Sequence, residues 1–250
     1  MRRAVVSLAL VDPSTKQWWL FEATPDIKQQ LQRFNQETKG RYPYLPAGIF
    51  ITHAHIGHYT GLMELGKEVM NTKEIKVYVL PGMKTFLEQN GPWSQLVKLG
   101  NIRLQELQPS VPFTIAAGNV TAVAVPHRDE FSETAGFKIA TSQKKYLFIP
   151  DIDKWSRWDR SVKEEVKKVD VAFLDATFYS ATELSNRNIA EVPHPLVTET
   201  IEQFNKEPDS VKHKICFIHF NHTNPLLWDE SARRQLQGKG YRVAELMKRY

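Results

Sequence analysis

Three histidines fall within six residues, His53-Ala54-His55-Ile56-Gly57-His58, directly after the apolar run Ile49-Phe50-Ile51. A divalent ion such as Zn²⁺ takes imidazole nitrogens and carboxylate oxygens at about 2.0–2.2 Å. His53 and His55, two apart on an irregular turn, can therefore aim both rings at one point. The same arrangement recurs further along the chain. Val123-Ala124-Val125-Pro126 ends in His127, Leu147-Phe148-Ile149-Pro150 ends in Asp151, and Cys216-Phe217-Ile218 ends in His219. His127 supplies a third nitrogen beside His53 and His55, and Asp151 is placed to bridge to a second ion held by His58 and His219. Two ions about 3.5–4 Å apart activate a water and stabilise a developing oxyanion together. A lone histidine is more often a surface or core residue than a ligand. Three in six residues, with matching groups after three later strands, reverse that expectation.

These side chains need strands to deliver them, since α/β folds gather their chemistry in the loops that follow. Ala4–Val11 and Gln17–Glu22 read as a hairpin about the Asp12-Pro13-Ser14-Thr15 turn. Thr24-Pro25-Asp26 reads as a helix start, with Thr24 as N-cap and a helix to about Asn35. A buried strand is expected at 48–51, helical spacing over 60–70, a strand at 76–80, and short helices at 84–89 and 93–99. Strands follow at 102–107, 112–115, 120–125, 135–141 and 146–149, close enough to suggest a mostly antiparallel sheet. A helix near 161–168, a strand at 171–175, a helix from about 196 to 205 and a strand at 214–219 complete the set. Two sheets between helices would bury these strands.

Composition narrows the class. The 250 residues are 42% hydrophobic and 24% charged, the balance of a folded chain rather than a disordered one. The net charge of +5 is modest and spread along the sequence, so it permits an anionic small-molecule substrate while no basic stripe marks a nucleic-acid binder. A single cysteine, Cys216, excludes an internal disulfide and a cysteine-built zinc cage. The basic start Met1-Arg2-Arg3 before an apolar stretch has the look of a signal peptide, but no small-residue cleavage site follows. The stretch is also far shorter than the ~20 residues a membrane helix needs. The chain is read as cytoplasmic or as a mature fragment, with no membrane partner and homo-oligomerisation left open.

The pattern resembles the metallo-β-lactamase-fold hydrolases, whose hallmark is His-x-His-x-Asp-His followed by a distant His, Asp and His. The likeness runs from the first hairpin to His219 and implies one domain over residues 1–250, an α/β (α+β) four-layer αββα sandwich with its metal site along one edge of the two sheets. Within that superfamily, Phe217–Pro225 (FIHFNHTNP) is most similar to protein B of pyrroloquinoline quinone biosynthesis. Leu174-Asp175-Ala176-Thr177-Phe178 resembles the His-Glu-Ala-Thr-Phe of ribonuclease Z in the phosphodiesterase branch, and His194 stands where that branch keeps a downstream histidine.

The departures shape the expected chemistry. Gly57 occupies the place of the hallmark carboxylate, and Leu174 that of ribonuclease Z's proton-donating histidine. The ion on His53, His55 and His127 is untouched by this, with Asp151 orienting the water. The second ion keeps His58, Asp151 and His219, with His222 as the candidate replacement ligand, so one tight and one labile ion are expected. His194 is placed to reach a substrate oxygen as donor or general acid. Asp175 is a candidate to orient a ligand histidine through its other ring nitrogen, and Asp129 and Asp153 lie near the same strand ends. Arg128 is a candidate anion contact. Trp155 and Arg157-Trp158-Asp159-Arg160 are candidates for the mouth of a substrate pocket, against simple packing. His213 reads as a surface residue and Cys216 as a packing residue.

The resulting expectation is a zinc hydrolase, with Mn²⁺ or Fe²⁺ as alternatives, acting on a small ester, lactone or phosphodiester. A protein B-like metal-dependent oxidation in cofactor biosynthesis is the second reading. A catalytically decayed binding protein is the third, and general nucleic-acid binding the last.

Overall fold

The computed structural model describes residues 4–183 and 192–250. The chain forms two compact units. The first takes in the chain through Ala124 together with Asp129–Ala135, and the second takes Val125–Arg128 and Gly136–Tyr250.

The first unit opens with the expected hairpin, β1 (Leu8–Asp12) against β2 (Gln17–Phe21). Its turn is closed by the Asp12 carboxylate, which accepts from the Ser14 and Thr15 hydroxyls at 2.6 Å each. Those bonds hold the Asp12 pKa down to about 2. From β2 the sheet continues in parallel through β3 (Gly48–Phe50), β4 (Ile75–Val79) and β5 (Ile102–Glu106). Side chains alternate across a strand, so Trp18 and Leu20, Ile49 and Ile51, and Val77 and Val79 share one face. That face packs on Ile27, Leu31 and Phe34 of α1 (Ile27–Glu37) and on Leu62, Leu65, Met83, Leu87 and Leu96, all buried. The opposite face carries a stack of Phe21, Phe50 and Tyr78, with ring centroids 4.7 and 4.3 Å apart. Gly48 makes room for it, because a Cβ there would lie 2.5 Å from the Tyr78 ring.

Two helix starts differ from expectation. α1 begins at Ile27 rather than at Pro25, and Asp26 caps it without a side-chain bond. The Asp26 carboxylate instead accepts from the Val5 amide at 2.9 Å, and the Thr24 hydroxyl lies 3.1 Å from the Gln30 side chain. The helical spacing over 60–70 resolves into α2 (Ile56–Tyr59) and a 3-10 turn over Thr60–Leu65. The helix is interrupted because the Gly61 amide donates out of it, to the Ala23 carbonyl at 2.8 Å. A Cβ at Gly61 would fall 2.1 Å from the Thr24 carbonyl oxygen. This close approach ties the histidine segment to the end of β2. Helices α3 (Pro81–Gln89) and α4 (Trp93–Lys98) and the antiparallel hairpin of β6 (Pro112–Ile115) and β7 (Gly118–Val125) follow.

In the second unit β8 (Thr134–Ala140) pairs antiparallel with β9 (Lys145–Ile149). The mostly antiparallel character expected for the middle of the chain ends there. β9, β10 (Val171–Asp175), β11 (Ile215–Ile218) and β12 (Arg242–Val243) are all parallel neighbours. Parallel strands covered on both faces read as unbroken apolar runs, and β10 and β11 are buried at every position. Their crossovers include α5 (Val162–Lys167), α6 (Val197–Gln203) and α7 (Asp209–Lys212), and α8 (Glu230–Gly238) precedes β12. The loops that follow β9, β10 and β11 start at Pro150, Ala176 and His219.

Candidate metal centre

In the first unit β3 delivers Thr52 and the three histidines, and α2 starts on His55 as its N-cap. One carboxylate organises Thr52, His53 and His58. Glu22, at the end of β2, has no solvent exposure and sits in the left-handed region at φ 75°. A non-glycine residue held there costs on the order of 1–3 kcal/mol and is common at functional sites. Its Oε1 accepts from the Thr52 hydroxyl at 2.6 Å. With its proton committed to Glu22, the Thr52 oxygen accepts from His53 Nδ1 at 2.8 Å, which puts the His53 lone pair on Nε2. The same Glu22 oxygen lies 3.2 Å from His58 Nδ1, so His58 also carries its lone pair on Nε2. His55 is turned the other way: its Nε2 is 3.1 Å from Glu130 Oε2, which leaves Nδ1 as the acceptor.

The consequence is visible between His53 and His55, whose Nε2 and Nδ1 stand 2.8 Å apart. That is hydrogen-bond distance, so one ring proton lies between them. Two ligands sharing a tetrahedral zinc at 2.0–2.1 Å stand about 3.3 Å apart, so an ion taking the place of that proton would have to part the rings by about 0.5 Å.

The second unit repeats the logic. His127, its side chain wholly buried, turns Nδ1 to Asp153 Oδ1 at 3.2 Å and Nε2 to Asp151 Oδ2 at 3.3 Å. Asp153 is steadied by Arg157, whose guanidinium donates to its other oxygen at 2.5 Å, and by its own amide, which donates to the Pro126 carbonyl at 2.7 Å. Asp175, at the end of β10, is fully buried. Its Oδ1 accepts from the Thr177 hydroxyl at 2.7 Å and the Thr177 amide at 2.8 Å. Thr177 in turn accepts from His219 Nδ1 at 2.8 Å, putting the His219 lone pair on Nε2. His219 is left-handed too, at φ 64°.

Asp175 Oδ2 accepts from the Ile152 amide at 3.1 Å and from His194 Nδ1 at 2.9 Å. His194 Nδ1 is also 3.0 Å from Asp151 Oδ1. Burial opposes a charge on His194, but Asp175 and Asp151 outweigh it and its pKa is pushed up to about 10. Burial likewise raises Asp175, and the neighbouring His194 and His219 more than offset it, so its carboxyl is held below the usual range. Asp151, Asp175 and His194 form a three-residue group with ligand geometry.

The first unit thus brings together His53, His55 and His58, and the second brings together His127, Asp151, Asp175, His194 and His219. His222 stands apart from them: it is exposed, and its Nδ1 meets Asn221 Oδ1 at 3.1 Å. The segment around it works as a clasp, with the Asn221 amide on the Thr177 carbonyl and buried Asn224 on the Ala176 carbonyl. Trp155 and Trp158 are buried, and the Trp155 indole N–H donates to Thr200 of α6 at 2.9 Å, so packing rather than a pocket mouth explains them. Arg128, Asp129 and His213 are exposed, and Cys216 is buried. Glu22, Glu130, Thr52 and Thr177 were not singled out by residue type. Glu22 follows the same signal as the others, a polar residue closing an apolar strand.

At the level of whole chains, a family model described as "Beta-lactamase superfamily domain" matches residues 17–220. Coenzyme PQQ synthesis protein B of Methylorubrum extorquens (strain PA1) is 23% identical over 272 residues, which cover 98% of this chain and 86% of the relative. Among solved structures, the Zn(2+)-bound PqqB from Methylobacterium extorquens superposes with a TM-score of 0.77 at 21% identity, covering 97% of this chain and 86% of that one. A diphosphatase from the PhnP family gives 0.65 at 18% identity, covering 98% and 82%. These likenesses carry the fold, and the mixed α/β architecture with two sheets agrees with the metallo-β-lactamase type. Among the described residues no helix is long and apolar enough to cross a membrane.

Proposed function

This chain belongs to the beta-lactamase superfamily, and we propose that it is a metal-dependent hydrolase of a small ester, lactone or phosphodiester. The observation that carries the reading is the direction of the rings. In each of five histidines one nitrogen meets a side-chain oxygen: Thr52 for His53, Glu130 for His55, Glu22 for His58, Asp153 for His127 and Thr177 for His219. Metal-ligating histidines are held in this way, with tautomer and orientation set by the oxygen opposite the ion. His53 Nε2, His55 Nδ1 and His58 Nε2 would be the zinc donors of the first unit, and His127 Nε2, Asp151 and His219 Nε2 those of the second.

Bound zinc supplies Lewis acidity that activates water and polarises a carbonyl or phosphoryl oxygen. The chain's own residues do the rest. Asp151 orients the attacking water. His194 holds its Nδ1 proton between Asp151 and Asp175, which leaves its Nε2 proton to be given to the departing oxygen. Asp175 keeps that imidazole charged and, through Thr177, fixes the rotation of His219. A small substrate of anionic character suits the net positive chain.

The test is metal content paired with a hydrolysis screen. Purified protein should contain zinc and should cleave a bis-aryl phosphate, an aryl ester or a lactone. Activity should be lost on chelation and return with Zn²⁺ or Mn²⁺. Turnover that survives chelation, or protein that takes up no zinc, overturns the reading. The likeness over nearly the whole chain to the cofactor-synthesis protein favours a second reading, a metal-dependent oxidation in cofactor biosynthesis. Fe²⁺ also accepts histidine and carboxylate ligands. Oxygen uptake after anaerobic reconstitution with iron, without hydrolysis in the screen, would select it.

A further inference from the structure

From Thr52 to Met63 the histidine segment contains no acidic residue, yet three of its side chains are imidazoles whose lone pairs must be set. The buried carboxylate that reaches them comes from outside the segment. Glu22 Oε1 takes the Thr52 hydroxyl at 2.6 Å and His58 Nδ1 at 3.2 Å, and Oε2 lies 3.3 Å from the Thr52 amide. We propose that Glu22 is the positioning residue of this half of the centre. It fixes His58 directly and His53 through Thr52, both as Nδ1–H tautomers. The inference rests on the proposed metal centre for its functional meaning, but not for its geometry.

Three observations support it. Glu22 is wholly buried, so its hydrogen bonds act in a medium of low dielectric where a hydrogen-bonded imidazole gains donor strength towards an ion. Its left-handed backbone persists because the chain is pinned on both sides, by the Glu22 amide on the Phe50 carbonyl at 2.9 Å and the Ala23 amide on the His58 carbonyl at 2.9 Å. And it reaches its two histidines by different routes, His58 directly and His53 through Thr52. Removing the carboxylate should therefore loosen both, whereas removing the Thr52 hydroxyl should loosen only His53.

The experiment has a metal-free and a metal-bound arm. Long-range ¹⁵N–¹H spectra of the metal-free full chain should show His53 and His58 as Nδ1–H tautomers. Thr52→Val should move His53 away from that tautomer and leave His58 in place, and Thr52→Ser should restore His53. Zinc titrations should then show Glu22→Gln weakening binding by about 10–100-fold, and Thr52→Val weakening it by less. Nε2–H tautomers in the wild type, or a Glu22→Gln zinc titration within twofold of wild type, overturn the proposal. If Glu22→Gln does not fold, the Thr52 pair and the wild-type spectra still decide it. If the wild type binds no zinc, the hydrolase reading falls, while the tautomers still judge Glu22.

Discussion

Thr52 and Thr177 perform the same operation in the two units. Each hydroxyl donates to a carboxylate with no solvent exposure, Thr52 to Glu22 at 2.6 Å and Thr177 to Asp175 at 2.7 Å. Each then accepts the Nδ1 proton of a histidine at 2.8 Å. A hydroxyl has one proton to give and lone pairs to receive, so the carboxylate dictates the direction of the whole chain of bonds. In each unit the carboxylate also meets a second imidazole without an intermediary, His58 for Glu22 and His194 for Asp175.

Thr177 can be tested apart from its partner. Thr177→Val keeps the shape of the side chain and removes the acceptor for His219 Nδ1. The expected result is a loss of about 10–100-fold in affinity for the ion that His219 is proposed to hold. Thr177→Ser should stay within a few-fold of wild type. Titration with Co²⁺, followed by its visible absorption, measures both.

Gly57 is a position where the chain could accept the carboxylate it lacks. Its backbone is not left-handed, and the nearest atom to an added Cβ is a Val5 methyl carbon at 4.0 Å, an ordinary contact. It lies in the first turn of α2, where an acidic side chain is favoured by the helix terminus. Gly57→Asp should therefore fold normally and tighten the weaker of the zinc-binding steps expected for the proposed centre, leaving the tighter one unchanged. Titration calorimetry against the wild type checks it, and an unchanged weaker step would show that position 57 does not reach the ion.

The legible part of this centre was the part written in strand ends. Polar residues closing apolar runs pointed to His53, His127, Asp151 and His219, because the same pattern recurs at several strand ends with metal-ligating residue types, whereas a single such end, like Asp12 at the end of β1, only closes a turn. The same rule, applied to QWWLFE, leads to Glu22. Thr52 and Thr177 were not legible, since a threonine beside a strand is unremarkable until its two partners are known. The tautomers were equally hidden: whether His55 presents Nδ1 or Nε2 depends on Glu130, 75 residues away. The place of β5 was missed: Ile102–Glu106 was grouped with the closely spaced antiparallel strands that follow it, but it pairs in parallel with β4 in the five-stranded sheet, because short strands at close spacing look alike whether a hairpin or a crossover joins them.

Arg157 tests how far support extends from the ligands. Its side chain is 65% exposed, yet it grips Asp153, which holds His127. An exposed arginine contributes little to folding by itself. Arg157→Ala should leave the thermal midpoint nearly unchanged while lowering zinc affinity several-fold, through a loosened His127. Asp153→Asn should do more, since it removes the charge opposite the ring. A large drop in midpoint for Arg157→Ala would show that the residue is structural instead.

Cys216 supplies a prediction in pH. Burial pushes its thiol up to about 11, against about 8.5 in an unfolded chain. The folded chain therefore keeps a proton that the unfolded chain releases. Stability from this group is fully present below pH ~8.5 and is lost as pH rises towards the folded value, on the order of 1–3 kcal/mol in all. Because the thiolate is the reactive form, the native protein should resist thiol reagents at pH 8 and react promptly in denaturant. Prompt reaction of the native chain would contradict the burial of Cys216.

His194 offers the sharpest test of chemistry, because proton donation matters only when the leaving group needs a proton. Its Nδ1 is held between Asp175 at 2.9 Å and Asp151 at 3.0 Å, so the ring is oriented and charged before substrate arrives. With a p-nitrophenyl leaving group, which departs readily as an anion, His194→Gln should reduce kcat only a few-fold. With an alkyl leaving group the loss should reach about 10²–10⁴-fold, the usual range for a positioned acid. Zinc content should be unchanged in the variant, which separates this role from ligation. Equal losses with both substrates would mean that His194 orients Asp151 rather than donating the proton.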